Sequence, residues 1–471
     1  MEFNSAEFLN IFFPLTLIFC GLMPLWTGYI LLFFSMIFYG WNSTIGLFLL
    51  IFSIFIVHLF RKYFKFNFQF KILASLIIIS PFLFFRSSSI LINLYPSLAN
   101  LQKLYPESLI LPAGVSFYTF QLIGYLFDNK PDSKKIKFKH SLLFILFFPQ
   151  LIAGPIERGK DLIPQIKSIF SKKFRIKEQN VQDGTYLLAI GLFMKTFFSD
   201  ILAASYEDFY TKGSLGALLQ MLANGSVIYF DFLGYSLIAI GLAKFFNIEL
   251  TLNFIRPYAS TNVAEFWRRW HITLTSWFKD YLYKPIASKF NFSKVSLFAS
   301  SALVFLFTSL WHGFGLRFLI WGFGHFILVM ISRTKNSFKE NVLIKYVSWI
   351  TTFLAVNFLW IFFFYGKENY LLFIKNLFSF ISLEEIVFNK RSFLLPVSIL
   401  FSILFDPAKI ISYEILENKK INFKDEILGK QSRSFTDIFY RYTNKFLISI
   451  LLIFTSIAFF SYSKTFVYFR F

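Results

Sequence analysis

Residues Phe307–Phe318 read FTSLWHGFGLRF, a histidine and an arginine set in otherwise apolar and aromatic sequence. The runs on either side, 296–311 and 316–332, are apolar enough to be read as membrane spans, so this stretch sits where a bilayer-spanning chain normally keeps polar groups out. Burying an imidazole there costs free energy unless it is paired or lines a wet cavity. His312 is therefore a functional-site candidate, as intramembrane ionisable residues are by default. The competing reading is a histidine that hydrogen-bonds a helix carbonyl and serves packing.

Composition agrees with a membrane setting along the whole chain. Of 471 residues, 56% are hydrophobic, with 71 Phe, 23 Tyr and 9 Trp, and the mean hydropathy is +0.59. These values place the chain among multi-spanning membrane proteins. The 47 Lys+Arg against 26 Asp+Glu give a net charge of +21, but the basic residues fall between apolar segments and form no single face. That pattern is the loop bias of the positive-inside rule, attractive to anionic membrane lipid, and speaks against nucleic acid as a partner. Cys20 stands alone in an apolar run, so neither a disulfide framework nor a cysteine metal site is expected. The opening MEFNSAEF is acidic and lacks the basic region of a cleavable signal, so the first span is expected to be retained.

A span needs about 20 mostly apolar residues. Candidates are 8–22, 27–41, 44–60, 71–86, 110–127, 183–199, 217–245, 296–311, 316–332, 346–365, 392–405 and 446–463, giving eleven or twelve transmembrane helices in one all-α domain spanning 1–471. The Lys/Arg-rich connections are 61–71, 129–140, 158–178, 333–345 and 406–445, the last read as cytoplasmic helices. Placing them in the cytoplasm puts the N-terminus and the terminal FVYFRF outside.

Two stretches depart from simple crossing. Both flanks of 141–157 are basic, and the segment carries Pro149, Gly154 and Pro155, which break a helix. It reads as re-entrant, buried in protein or lining a cavity; a kinked helix is the alternative. The second stretch, 251–285, is too charged for a lipid-facing span and too aromatic for a solvated loop. Asn262 is placed to cap a helix in which Phe266, Trp270, Thr273 and Trp277 recur at three- and four-residue steps, with Trp267, His271, Leu274 and Phe278 alongside. Such a helix suits the interface or the wall of a polar funnel, read as a cytoplasmic-side funnel over 251–290, and for Trp270 and Trp277 the preferred reading is anchoring at the head groups.

No P-loop, dinucleotide glycine fingerprint or GxSxG elbow occurs. The histidines at 58, 140, 271, 312 and 325 form no HExxH, and none has an aspartate five residues on. This argues against a serine hydrolase, a zinc protease and the His/Asp type of soluble acyltransferase, and no metal is indicated. His58 and His140 are expected to be structural, and His325 to serve packing, with a turn toward the same cavity as His312 as the alternative.

The order LPAGVSFYTFQLIGYLFD (111–128), FFPQLIAGPIERGKDLIPQ (147–165), YFDFLGYSLIAIGLAKFFNIELTLNFIRPY (229–258), EFWRRWHITLTSWFKDYLYKP (265–285), SLWHGFGLRFLIWGFGH (309–325) and the terminal FVYFRF resembles the membrane-bound O-acyltransferase (MBOAT) superfamily. Within it the chain is most similar to the bacterial branch that O-acetylates alginate and peptidoglycan. The resemblance implies tilted helices around a central tunnel with re-entrant or interfacial segments, a catalytic core over 296–332, a catalytic histidine at His312 and a second polar site at His271. Trp311, Trp267, Arg268, Arg269, Arg256, Asn253 and Asp231 are the expected donor-binding or tunnel-lining residues. Glu157 stands after AGPI where some alginate-type relatives have a neutral residue, which leaves the polymer open.

The chemistry implied is acyl transfer from an activated thioester, acetyl-CoA or another acyl thioester as donor substrate with no bound cofactor, to a hydroxyl of an extracytoplasmic polysaccharide. An imidazole with ordinary pKa near ~6.5 suits general-base work, and burial keeps it neutral. His312 is assigned that role, with His271 orienting the donor carbonyl or the tetrahedral intermediate. Arg256, Arg268, Arg269 and Lys279 would face the cytoplasmic funnel, placed to attract phosphates. By resemblance, an exported esterase-like transferase is the expected partner and the bacterial inner membrane the location. The alternatives are a transporter or flippase of lipid-linked saccharide and a non-catalytic scaffold for an exported transferase.

Overall fold

The computed structural model describes residues 1–41, 43–63, 68–94, 112–128, 136–206, 209–334, 342–379, 393–409 and 445–458. A π-helical turn, Phe8–Phe12, leads into α1 (Phe13–Leu22), followed by α2 (Thr27–Gly40), α3 (Thr44–Tyr63), α4 (Phe68–Leu94) and α5 (Val115–Phe127). Next come α6 (Phe138–Leu146), the short α7 (Phe148–Leu151), α8 (Gly159–Ser171) and α9 (Glu178–Phe193), which runs through a π-helical stretch, Met194–Asp200, into α10 (Ile201–Ser205). The long α11 (Gly213–Phe245) precedes α12 (Val263–Arg269), α13 (Ile272–Phe278) and α14 (Lys284–Lys289), with a π-helical turn, Lys279–Tyr283, between the last two. Then follow α15 (Lys294–His312), α16 (Leu316–Thr334), α17 (Val342–Phe364), α18 (Lys367–Leu377), α19 (Leu394–Leu404) and α20 (Lys445–Ala458).

Among the described residues there is no strand. Seven helical runs are long and apolar enough to cross a membrane, namely α3, α4, the α9–α10 run, α11, α15, α16 and α17. Four shorter apolar helices accompany them, Phe8–Leu22, Thr27–Gly40, Val115–Phe127 and Leu394–Leu404. The all-helical, multi-pass reading thus holds. Of the cytoplasmic helices expected over 406–445, residues 410–444 lie outside the described residues, as does the terminal FVYFRF.

The centre of the molecule is α11, whose most apolar stretch is buried throughout. It lies against α9 at pairs of facing glycines. A Cβ on Gly191 would stand 2.7 Å from the Gly234 carbonyl oxygen, and one on Gly184 would stand 2.9 Å from that of Gly241. Small residues of this kind let two helix backbones touch, the contact on which helix association in lipid depends. One turn beyond Gly191, the π-helical stretch brings Lys195 Nζ to 2.6 Å from Asp200 Oδ1 and 2.7 Å from Asp231 Oδ1 of α11, all three groups buried. Buried charges persist in an apolar interior only when paired in this way.

The segment 141–157 is broken where proline and glycine stand. α6 stops at Leu146, α7 carries Pro149 in its first turn, and the chain turns at 152–154 before an extended run into α8. Residues 143–157 are all buried, and α6 packs on α8, so the chain reverses inside the protein.

The single helix expected over 262–278 is two helices. Asn262 does cap the first, its Oδ1 accepting from Glu265 N at 2.8 Å, but the helix ends at Arg269. His271 then takes a left-handed conformation (φ 42°, ψ 55°) before α13 begins. The cause is tertiary. The strand-like run at 253–255 captures backbone groups at the break, Ile272 N donating to Asn253 O at 2.9 Å and Ile255 N to Arg269 O at 3.0 Å. Trp270 and Trp277 are also not at a head-group surface. Trp270 is 1% exposed, stacked on Phe266 and packed against Trp360. Trp277 is buried with its Nε1 donating to Phe120 O at 2.8 Å. The indole ring adds more by burial in this interior than by wetting one edge.

Candidate active site

His312 is the last residue of α15. Gly313 ends the helix, its N–H donating to Ser309 O at 3.0 Å. A side chain at 313 would overlap the Phe318 ring and approach Arg86 Nη2, so glycine is what allows the chain to turn tightly over the imidazole. The imidazole is buried among Trp311, Phe363 and Trp321, at ring separations of 4.4, 4.7 and 5.0 Å. Arg86, on α4, was not singled out from sequence because nothing local ties it to residue 312.

His271 arrives from the break between α12 and α13. It is 2% exposed, lies edge-on to Phe232 at 4.7 Å and shares Trp311 with His312, at 6.4 Å on its own side. Neither of its ring nitrogens has a hydrogen-bond partner among the described residues. A buried imidazole with both nitrogens unsatisfied is costly, and it is suited to a polar group that enters the site.

Asn253 supports this turn from outside. Its Oδ1 accepts from Thr273 Oγ1 at 2.6 Å and its Nδ2 donates to Ser236 Oγ at 3.1 Å. Thr273 Oγ1 in turn accepts from Ile156 N at 3.1 Å, and Glu157 accepts from Thr251 N and from its hydroxyl. The reversed segment 141–157 is thereby tied to the residues that hold His271, a role for Thr273 and Glu157 that sequence reading missed. Asp231 is elsewhere. Its carboxylate meets Lys195, and it is the neighbouring Phe232 that meets His271.

The expected basic residues separate into two groups. Arg256 donates Nε–H to Ile403 O at 2.9 Å, and Arg269 pairs with Glu265 at 2.6 Å. Arg268 and Lys279 instead line a cavity of about 450 Å³ together with Arg333, which sequence reading did not single out. All three are exposed at its mouth, whereas Leu274, Phe278, Phe305 and Thr308 are buried along its inner part. Ser301, Phe305 and Thr308 fall on one face of α15, and His312 follows one turn beyond Thr308 on that face. Trp267 also lines the cavity, and its Nε1–H donates to Nδ1 of the fully buried His325 at 3.3 Å. The expectation that His325 only packs is thus extended by a hydrogen bond.

The fold and this arrangement define a polytopic membrane protein with two buried histidines that share Trp311, and a cavity lined by basic residues along the α15 face that ends in His312. The chain belongs to the membrane-bound O-acyltransferase family, MBOAT, whose model matches residues 126–375. It is 35% identical to the peptidoglycan O-acetyltransferase of Helicobacter pylori over 289 residues, covering 54% of each chain. It is 35% identical to the probable alginate O-acetylase AlgI of Pseudomonas aeruginosa over 265 residues, 54% of this chain and 49% of that one. The teichoic acid D-alanyltransferase of Bacillus subtilis is 28% identical over 290 residues, 56% of this chain and 70% of that one. The chain spans about half the length of the first two of these relatives.

Proposed function

We propose that the protein is an O-acyltransferase that takes a small acyl group, acetyl above all, from a cytoplasmic thioester and passes it across the membrane for O-acetylation of an extracytoplasmic polysaccharide. The observation that carries this reading is a cavity lined by three exposed cations, Arg268, Lys279 and Arg333, and by Ser301, Phe305 and Thr308, on the α15 face that carries His312 one turn further on. From Ser301 to His312 is eleven residues, roughly 16 Å of helix at 1.5 Å per residue, enough for an extended thioester arm with its phosphates held at the mouth. The family membership and the activities for which the three relatives are named support the same chemistry.

In the transfer step the acceptor hydroxyl oxygen attacks the thioester carbonyl carbon. The new C–O bond forms, the C–S bond breaks, and the hydroxyl proton passes by way of the His312 imidazole to the departing thiolate. His271 offers its unpartnered N–H to the carbonyl oxygen as charge develops there, a contribution that a dry site makes large. No covalent acyl-enzyme is required. The reversed segment 141–157 is the re-entrant element, 251–290 the cytoplasmic funnel and 296–332 the catalytic core. The protein sits in the bacterial inner membrane with its N-terminus outside, and an exported esterase-like transferase completes delivery to an alginate-like polymer or peptidoglycan.

The test is transfer from radiolabelled acetyl-CoA by purified protein in liposomes, wild type against His312→Ala at equal folding. Wild type is expected to consume donor at least about 10²-fold faster, the usual contribution of a general base. Equal rates would overturn the assignment and favour transport of a lipid-linked saccharide or a scaffold.

A further inference from the structure

His325 stands one helix turn beyond Trp321 on α16, fully buried, and three indoles converge on it. Trp267 donates to its Nδ1, which leaves the proton of the neutral ring on Nε2. Trp321 lies 5.1 Å from it at 73°, and Trp360 lies 6.1 Å away at 61°. Phe266 and Phe305 are near-parallel to the imidazole, at 6.4 and 6.5 Å. The ring is thus held by aromatic neighbours and by one directional bond. Of the three indoles, Trp321 is the one that meets His312, edge to face at 5.0 Å, and it is backed by Trp360 at 5.8 Å and by Phe363 at 5.6 Å. Trp267, at 5.8 Å from Trp321, joins the same wall to the cavity.

We propose that this indole wall, with Trp321 as its contact ring and His325 as the positioning residue that locks it, limits the donor to short acyl groups. The inference rests on the acyltransferase reading and names the specificity of that same site. A thioester carbonyl within reach of His312 has Trp321 and Phe363 immediately beside it, so an acyl chain extending past the carbonyl meets rings that are packed on their far side. Close-packed interiors do not yield to extra methylenes without displacing neighbours. The bond to Trp267 gives His325 a role that shape alone does not supply, because it fixes the tilt of the indole joining wall and cavity.

The test compares kcat/KM for acetyl-, propionyl- and butyryl-CoA in wild type, Trp321→Leu, Trp321→Phe, His325→Leu and His325→Asn. Alongside it, equilibrium binding is measured for the non-cleavable ketone analogues of acetyl- and butyryl-CoA, in which a methylene replaces sulfur. In Trp321→Leu the butyryl-to-acetyl ratio is expected to rise about tenfold or more, the scale on which a pocket discriminates methylenes, with a smaller rise in Trp321→Phe. His325→Leu is expected to raise the ratio as well, and His325→Asn, which keeps an acceptor near the Nδ1 position, to restore selectivity. A ratio unchanged in every folded variant, in both transfer and binding, overturns the proposal. If the binding ratio shifts while no variant and no wild type transfers acyl groups, the wall stands and the acyltransferase reading falls. If neither analogue binds, both fall.

Discussion

The two histidines of the candidate site each depend on the backbone as much as on the ring. At His271 the left-handed φ of 42° is tolerated by asparagine and is strained by about 1–2 kcal/mol for most other residues. His271→Asn is therefore expected to keep the thermal midpoint of the parent, and His271→Val to lower it. Under the role proposed for His271 both should lose roughly 10²-fold in kcat, since its ring N–H would be gone or misplaced; scanning calorimetry beside a transfer assay separates the two effects. His312 stands out in the sequence because an imidazole between two apolar runs has few explanations, and the structure shows it buried among aromatic rings. The partnership of His325 with Trp267 does not, since it depends on how α16 faces α12 across the cavity, and no local pattern encodes that register. Arg333 and Arg86 escaped notice for the same reason.

At the scale of elements, the aromatic spacing at 266, 270, 273 and 277 reads as one helix, and the proline and glycine positions at 149–155 read as a break. The second reading described the local chain, because proline removes a donor and blocks a helix from within. The first was overridden by hydrogen bonds from residues 253 and 255, which lie outside any window a periodicity can sample. The α9–α11 contact makes its own prediction. Gly234→Leu would force the backbones apart at Gly191, where a single Cβ already stands 2.7 Å from a carbonyl oxygen, and is expected to reduce detergent-resistant folded protein in a thermal shift assay. Lys195→Met leaves buried carboxylates without their shared cation and is expected to destabilise by about 3–5 kcal/mol. Adding Asp231→Asn should recover part of that loss, measured as a double-mutant cycle in unfolding midpoint.

For the whole molecule, composition alone decided the membrane class. The number of spans was harder to read, because several apolar helices are short, α5 and α19 among them, and the longest, α11, is buried throughout its most apolar stretch, so its hydropathy there has no period. The basic mouth predicts an electrostatic signature. The KM for acetyl-CoA should rise with ionic strength and on Arg268→Gln or Lys279→Gln, whereas that for a phosphate-free acetyl thioester should stay level. Steady-state kinetics across a salt series checks this, and equal salt responses would remove the cations from donor binding. The central position of α11 also bears on biogenesis. The buried stretch of α11 is made before α12–α20 exist, so Asp231 is synthesised while part of its eventual surroundings is still missing. Lys195 precedes it in the chain, on the hairpin arm that touches it at paired glycines. The order of translation thus delivers the counter-charge first, so the partner that a buried carboxylate needs is already made when Asp231 is.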